Sequence, residues 1–298
     1  MKGNATMKSN IGLPEHMQHA GGIARGAATS QWMTMLARLG YAAKGVVYLI
    51  VGVLAVQLVA GRGGETTDRK GALHTIYEQP FGKFLLAMIA IGLVCFALWC
   101  FIQTVFDTEG KGKSTKGILA RLGYSGTGIS YTLLAVGAIQ LVVGTGSGGQ
   151  SSTSSTQSWT GKLLQSGPGV ALIILVGLIV LGIAASMFYC AYSAHFQNKL
   201  ALQELKAQTR KWILSFGRFG YAAVGVVFSI IGLFLIIVVF RYDSSDAKGL
   251  DSALQVLLQQ PFGSVLLAIV ALGLMAYGAY SLIEARYRRI AGRQFSFQ

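Results

Sequence analysis

Charge is scarce in this sequence. Only 12% of its 298 residues are Asp, Glu, Lys or Arg, about half the share usual in soluble globular domains. With 53% apolar residues beside it, so little charge excludes a disordered chain, which stays unfolded by being rich in charge and poor in apolar groups. Three cysteines cannot staple a secreted disulfide scaffold, and four prolines exclude a collagen-like repeat. A mean hydropathy of +0.54 argues against a soluble enzyme.

What the chain has instead is long apolar runs. They form six blocks, 41–60, 84–106, 122–143, 170–194, 219–240 and 265–283, which together hold one charged residue, Lys44. At about 1.5 Å of rise per residue, each block crosses a hydrocarbon core of about 30 Å as a helix. Buried helices of soluble proteins are shorter and usually amphipathic. The expected fold is therefore an all-α membrane protein of six transmembrane helices.

An even number of crossings returns both chain ends to one side. Of the 25 Lys and Arg residues, 17 lie in residues 1–38, 107–121, 195–218 and 284–298, and seven in the three segments on the opposite side. The excess marks the cytoplasmic side, so both termini are expected there. The net charge of +14 then faces anionic lipid head groups. No basic run exceeds two residues, so the charge is not read as a nucleic-acid surface. Residues 1–37 lack the apolar core of a signal peptide, and the first span is expected to act as the insertion signal behind a loosely ordered arm.

The sequence also repeats itself. Arg38-Leu39-Gly40-Tyr41, Arg121-Leu122-Gly123-Tyr124 and Arg218-Phe219-Gly220-Tyr221 open the first, third and fifth spans. Glycine recurs five residues later at Gly45, Gly128 and Gly225, and aromatic rings follow at Tyr48, Tyr131 and Phe228. Gln79-Pro80-Phe81-Gly82 and Gln260-Pro261-Phe262-Gly263 precede the second and sixth spans, with Gly92-Leu93 and Gly273-Leu274 ten residues past the motif glycine. The middle copy has no Pro-Phe pair, and its Gly177-Leu178 lies ten residues past Gly167.

These elements have physical uses. Arg and Tyr suit the head-group layer and aromatic belt. Gly45 with Gly52, and Gly225 with Gly232, fall on one helix face and admit a neighbouring backbone. Pro80 and Pro261 are expected in the first turns of their helices.

With these motifs the chain resembles a family of small bacterial inner-membrane proteins, domain of unknown function 1206, in which a two-helix unit occurs three times. The likeness runs from about residue 36 to 288. It implies location in the bacterial cytoplasmic membrane and a repeated architecture, and it brings no catalytic residues. The units are read as 38–106, 107–194 and 218–283, with a cytoplasmic connection at 195–217 and a tail at 284–298. Three hairpins entering from one side are parallel repeats, and the expected arrangement is a pseudo-threefold bundle within one chain.

Among the connections, Leu250, Ala253, Leu254, Leu257 and Leu258 lie on one helical face suited to the outer membrane interface, and Ala72, Leu73, Ile76 and Tyr77 echo them. Residues 144–158 read as a flexible linker, after which Trp159, Leu163 and Leu164 resume a short helix. Residues 196–211 are expected to prolong span four.

Groups that carry chemistry are sparse. His16, His19, His74 and His195 do not converge within a span, so no metal or other cofactor is expected. Cys95 and Cys100 point about 140° apart on one helix, which excludes a disulfide between them, and Cys190 is read with them as packing. Without paired carboxylates, a P-loop or a Ser, His and Asp set, the chain is not read as an enzyme.

Lys44 stands where the other units have Thr127 and Val224. It is either a buried cation on a substrate or proton path or a long stem snorkelling to the interface, and its shallow depth favours the second. Gln57 and Gln140 occupy matching positions and suggest either a polar mouth or interhelical hydrogen bonds, the plainer reading. Gln103 and Glu284 also correspond, at inner ends where polar residues are ordinary.

The resulting expectation is a non-catalytic membrane scaffold that contacts protein partners or anionic lipid. The alternative is a small-solute channel or transporter on the pseudo-threefold axis. A quinone-linked redox subunit using Trp99, Tyr189 or Tyr192 is weaker.

Overall fold

The computed structural model describes residues 31–60, 69–107, 114–145, 152–201, 205–241, 250–259 and 261–288. The described residues form nine α-helices: α1 (Gln31–Val59), α2 (Arg69–Tyr77), α3 (Gly82–Phe106), α4 (Thr115–Val143), α5 (Ser152–Leu164), α6 (Gly167–Ser193), α7 (Ala207–Arg241), α8 (Leu250–Leu258) and α9 (Gly263–Tyr287). A 3-10 turn, His195–Lys199, follows α6. Six of the helices, α1, α3, α4, α6, α7 and α9, are long and apolar enough to cross a membrane.

α1, α4 and α7 begin well before the apolar blocks, so Arg38, Arg121 and Arg218 lie inside helices and do not open them. The apolar block marks only the hydrocarbon crossing; backbone hydrogen bonding carries the helix on through the head-group layer. The end at which α1, α4 and α7 begin is called the entry end below. The short helices α2, α5 and α8 lie at the far end.

In space the spans follow the order α4, α3, α1, α9, α7, α6, each packed extensively on the next, with α1 against α9 the most extensive pair. α4 and α6, the two spans of the middle unit, do not pack extensively on each other. They are also the least covered: 28% and 17% of their apolar windows are buried, against 39% to 56% in the other four spans. At the entry end Lys199 reaches across, its Nζ donating to Tyr124 Oη at 3.1 Å.

Glycine sets these approaches because in lipid close packing replaces most of the hydrophobic drive between helices. Within the first and third hairpins, a Cβ added to Gly40 would lie 2.6 Å from the Cα of Phe96, and one added to Gly220 would lie 2.6 Å from the Cα of Tyr277. Between hairpins, Gly45 meets the carbonyl of Gly278, Gly128 meets Cys100 and Phe101, and Gly225 meets Phe188. Gly52 and Gly232 continue the same contacts one step deeper, against Met275 and Leu181.

Several expectations from sequence are corrected. Pro80 and Pro261 sit in the turns before α3 and α9; Phe81 and Phe262 precede those helices with positive φ of 62° and 59°. Pro168 is the proline in a first helical turn, in α6. The linker reading of 144–158 fails over its second half, where Ser152 begins α5. One face of that helix packs inward through Thr160 and Leu164, and such packing outweighs weak local propensity.

α8 does not rest its apolar face on the interface. Ala253, Leu254 and Leu257 are buried in the far end of the bundle together with Ala72 of α2. Residues 196–211 do not prolong span four. The backbone turns at Ala194, with φ of 49°, and Phe196 and Leu200 fold back beneath Tyr280 and Ile213. Burying two apolar side chains outweighs extending a helix into water. The returning segment makes an isolated antiparallel bridge to the end of α9, where Ala201 N donates to Tyr287 O at 2.8 Å.

Candidate functional site

Where α1 meets α9 at the entry end, two faces of unusual composition come together. On α9 the spacing of Tyr277, Ser281, Glu284 and Arg288 places all four on one stripe. On α1, Tyr41, Lys44 and Tyr48 do the same. α1 is centrally placed, so these side chains are enclosed by their neighbours: Lys44 is 9% exposed and Glu284 2%.

Glu284 Oε1 pairs with Arg288 Nη1 at 2.7 Å, both side chains almost fully buried. The pair is local, four residues apart on one helix. Its basic member lies at the helix C-terminus, where the dipole favours it. Arg288 Cζ also lies 4.6 Å from the centroid of the Tyr41 ring. Lys44 does not share the carboxylate. Its Nζ rests among rings, 4.6 Å from the Tyr277 centroid, 5.6 Å from Phe96 and 5.8 Å from Tyr41. Aromatic faces attract a cation electrostatically, by about 2 kcal/mol when it is desolvated. The snorkelling reading of Lys44 is therefore corrected: the side chain turns into the bundle because three rings from α1, α3 and α9 receive it there.

The rings continue outward. Tyr48 meets Tyr277 edge-on at 4.9 Å, Phe96 meets Tyr131 at 4.6 Å, and Tyr221 meets Tyr277 at 5.3 Å. Tyr41 is buried here and does not stand in a lipid-facing belt. Among the described residues, Tyr280 Oη and Ser281 Oγ on α9 and Trp99 Nε1 on α3 are buried without a hydrogen-bond partner. Each such group costs about 1–3 kcal/mol to leave unpaired.

The other residues singled out from sequence lie apart. Gln57 and Gln140 are exposed, near the far ends of α1 and α4, two helices that do not pack extensively on one another. Gln103, the counterpart of Glu284, is buried in α3 near the entry end. Arg121 closes the end of α3, its Nε donating to Thr104 O at 2.6 Å and its Nη2 to Val105 O at 3.2 Å. Trp99 is buried in α3 while Tyr189 and Tyr192 are exposed on α6, so these three do not form one ring site. His74 is half-buried in α2, its Nδ1 3.4 Å from Glu78 Oε1. His16 and His19 lie outside the described residues. Cys95, Cys100 and Cys190 are not joined in disulfides.

Sequence reasoning missed Glu284 and Arg288 as site members by ending the sixth span at Ile283. The available signal was the polar stripe Ser281, Glu284, Arg288 on a helix otherwise apolar, matched by Lys44 as the one charge within a span.

Six long apolar helices in one chain define a multi-pass α-helical membrane protein. The chain belongs to the family Domain of Unknown Function (DUF1206), whose model matches residues 39–107, 122–194 and 219–288. It is 36% identical over 262 residues to the Uncharacterized protein YxxB of Bacillus subtilis (strain 168), a match covering 88% of this chain and 94% of that protein. No solved structure matches.

The three matched segments end at Asp107, Ala194 and Arg288, each 25 residues beyond Gly82, Gly169 and Gly263. The packing agrees. Gly82 abuts the carbonyl of Ile76, Gly263 that of Leu258 and Gly169 that of Leu163, whereas Gly167 has open space around it among the described residues. The middle copy is thus registered on Gly169, and the spacing from Gly167 to Gly177-Leu178 is coincidental. In this register Gln103 and Cys190 match Glu284, and Asp107 and Ala194 match Arg288, so the Glu–Arg pair occurs in one of the three units.

Burial of Lys44 has a direct test. In intact membranes an amine-reactive, water-soluble reagent is expected to modify Lys44 at least about tenfold more slowly than Lys211, which is exposed near the same end, because a group buried among rings is shielded. Peptide mass spectrometry over a labelling time course reads the ratio; equal rates would restore the snorkelling arrangement.

Proposed function

We propose that this protein is a non-catalytic, non-conducting scaffold of the bacterial cytoplasmic membrane, with both termini cytoplasmic, that holds a protein partner or anionic lipid at its entry end. In this reading its three hairpins stand about a pseudo-threefold axis opened at the middle unit. The excess of Lys and Arg on the segments joined to the entry end supports the orientation, and the recurring glycine contacts support the threefold arrangement.

One observation carries the non-conducting reading. Among the described residues, the buried polar or charged side chains of the spans are Lys44, Gln103, Ser281 and Glu284, all toward the entry end. Beyond them the interior is Val51, Ala55, Leu267, Val270 and Ala271, sealed at the far end by Ala253, Leu254 and Leu257. Ion and proton paths place ionisable groups through the depth of the membrane, and here they stop at one side.

Reconstitution tests this reading. Proteoliposomes loaded with a pH dye, a potassium dye or glycerol are expected to leak no faster than protein-free vesicles, while the protein purified in mild detergent retains anionic lipid above its bulk proportion or a defined protein partner. Flux of any of the three solutes well above the control would overturn it.

A further inference from the structure

The open edge between α4 and α6 is unlike any other surface of the bundle, because the same chain shows twice what that edge is built to receive. In the first hairpin Gly40 of α1 takes the backbone of Phe96, and Gly92 of α3 lies against Ala43. In the third, Gly220 of α7 takes the backbone of Tyr277, and Gly273 of α9 lies against Ala223. The corresponding positions of α4 are Gly123 and Gly126, and among the described residues nothing lies within 4 Å of a Cβ added at either. On α6, in the register fixed by Gly169, the corresponding positions are Ile179 and Ile183, which are 53% and 37% exposed. One lip therefore carries an unfilled face of the first-helix type, and the other an unfilled face of the second-helix type.

We propose that this edge is where two copies of the chain pair, α4 of each packing on α6 of the other. The occupant follows from the faces themselves. A partner that satisfies both lips must present a second-helix face to α4 and a first-helix face to α6, each antiparallel to its neighbour, and this chain's own open edge presents both. A twofold axis along the membrane normal brings α4 opposite the partner's α6 and α6 opposite the partner's α4, which is an isologous, closed contact. Glycine on α4 is what such an approach needs in lipid, where an exposed apolar surface by itself gives no drive to associate and close backbone packing does. Position 126 is glycine where the two filled hairpins have Ala43 and Ala223. The extra room offsets the bulk of Ile179, which stands where they have Gly92 and Gly273.

The proposal deepens the scaffold reading by naming one protein partner, a second copy. It is tested separately, since flux does not report pairing. Chains with Cys95, Cys100 and Cys190 replaced by alanine are made in two tagged forms, one with Gly126→Cys and one with Ile179→Cys. They are co-expressed, and native membranes are oxidised. A disulfide-linked dimer carrying both tags is expected, at least about tenfold above the dimer formed by either form alone. If a chain carrying both Gly126→Cys and Ile179→Cys instead closes within itself and mixed membranes give monomers, the hairpin is self-contained and the proposal falls.

Because a cysteine pair can fail for local reasons, native mass spectrometry of the unmodified chain in mild detergent is read alongside. A dimer is expected that Gly126→Leu converts to monomer with its melting temperature unchanged to within about 2 °C, since that position is open within one copy. A monomer before substitution, with or without bound lipid, overturns the proposal, as does a dimer that Gly126→Leu leaves intact.

Discussion

Gly220→Leu is expected to prevent this bundle from assembling, and Gly123→Leu is expected to leave the folded single chain nearly untouched, although both glycines hold the same place in the repeated Arg-x-Gly-Tyr motif. At Gly220 the first added carbon falls 2.6 Å from both the backbone N and the Cα of Tyr277. Backbone cannot rotate away as a side-chain tip can, so α7 and α9 must separate. Overpacking of well-filled interiors costs about 1–3 kcal/mol where side chains can yield, and more where they cannot; separating two backbones belongs at or above the upper figure. Tyr277 would then leave Lys44, and the damage would reach the ionic cluster. At Gly123 nothing among the described residues lies within 4 Å of the added carbon. Thermal melting and the monodispersity of detergent-purified protein measure the difference. Equal behaviour of the two variants would mean that the three motifs are not packed differently.

The second large effect is expected at Glu284. Glu284→Ala leaves the Arg288 guanidinium buried without its carboxylate and removes the nearby negative charge that moderates Lys44. Breaking a buried pair from one side costs about 3–5 kcal/mol, enough to exhaust much of the stability of an ordinary domain. The joint replacement of Glu284 by leucine and Arg288 by methionine is expected to recover most of the loss, because removing a whole buried pair is close to neutral. Melting temperatures of the single and double variants decide the matter. A Glu284→Ala protein as stable as the parent would show that the pair is hydrated and contributes little, as exposed pairs do.

Much of the fold was legible before any coordinates. Apolar runs of 19 to 25 residues that hold one charge among six state that oil surrounds them, since chain length and rise per residue fix what can cross a bilayer. The spacing of Gly45 with Gly52 and of Gly225 with Gly232 identified helix faces made for close approach, and those glycines do meet neighbouring helices. The site was less legible. Lys44 was noticed as the lone charge within a span, but its surroundings were not, because the depth of a residue along one helix says nothing about which rings stand opposite. Glu284 was assigned to the tail because hydropathy falls where charge begins, whether or not the helix continues. The register of the middle unit was misread by two residues for a related reason: Gly167 and Gly169 are alike as letters, and only the carbonyl of Leu163 distinguishes them.

By itself the sequence determined what kind of solvent the chain lives in, how many times it crosses, and which face of each helix is small. Those are local properties, set by composition and by the 3.6-residue period. Only the tertiary structure decided which faces meet: that the first span pairs with the last, that Lys44 turns inward among rings drawn from three helices, and that the two spans of the middle unit pack on other helices and not extensively on each other. The reason is physical. One apolar helix looks much like another to lipid, so the choice of neighbour rests on close packing between segments far apart in the chain, and no short window of sequence contains both sides of such a contact.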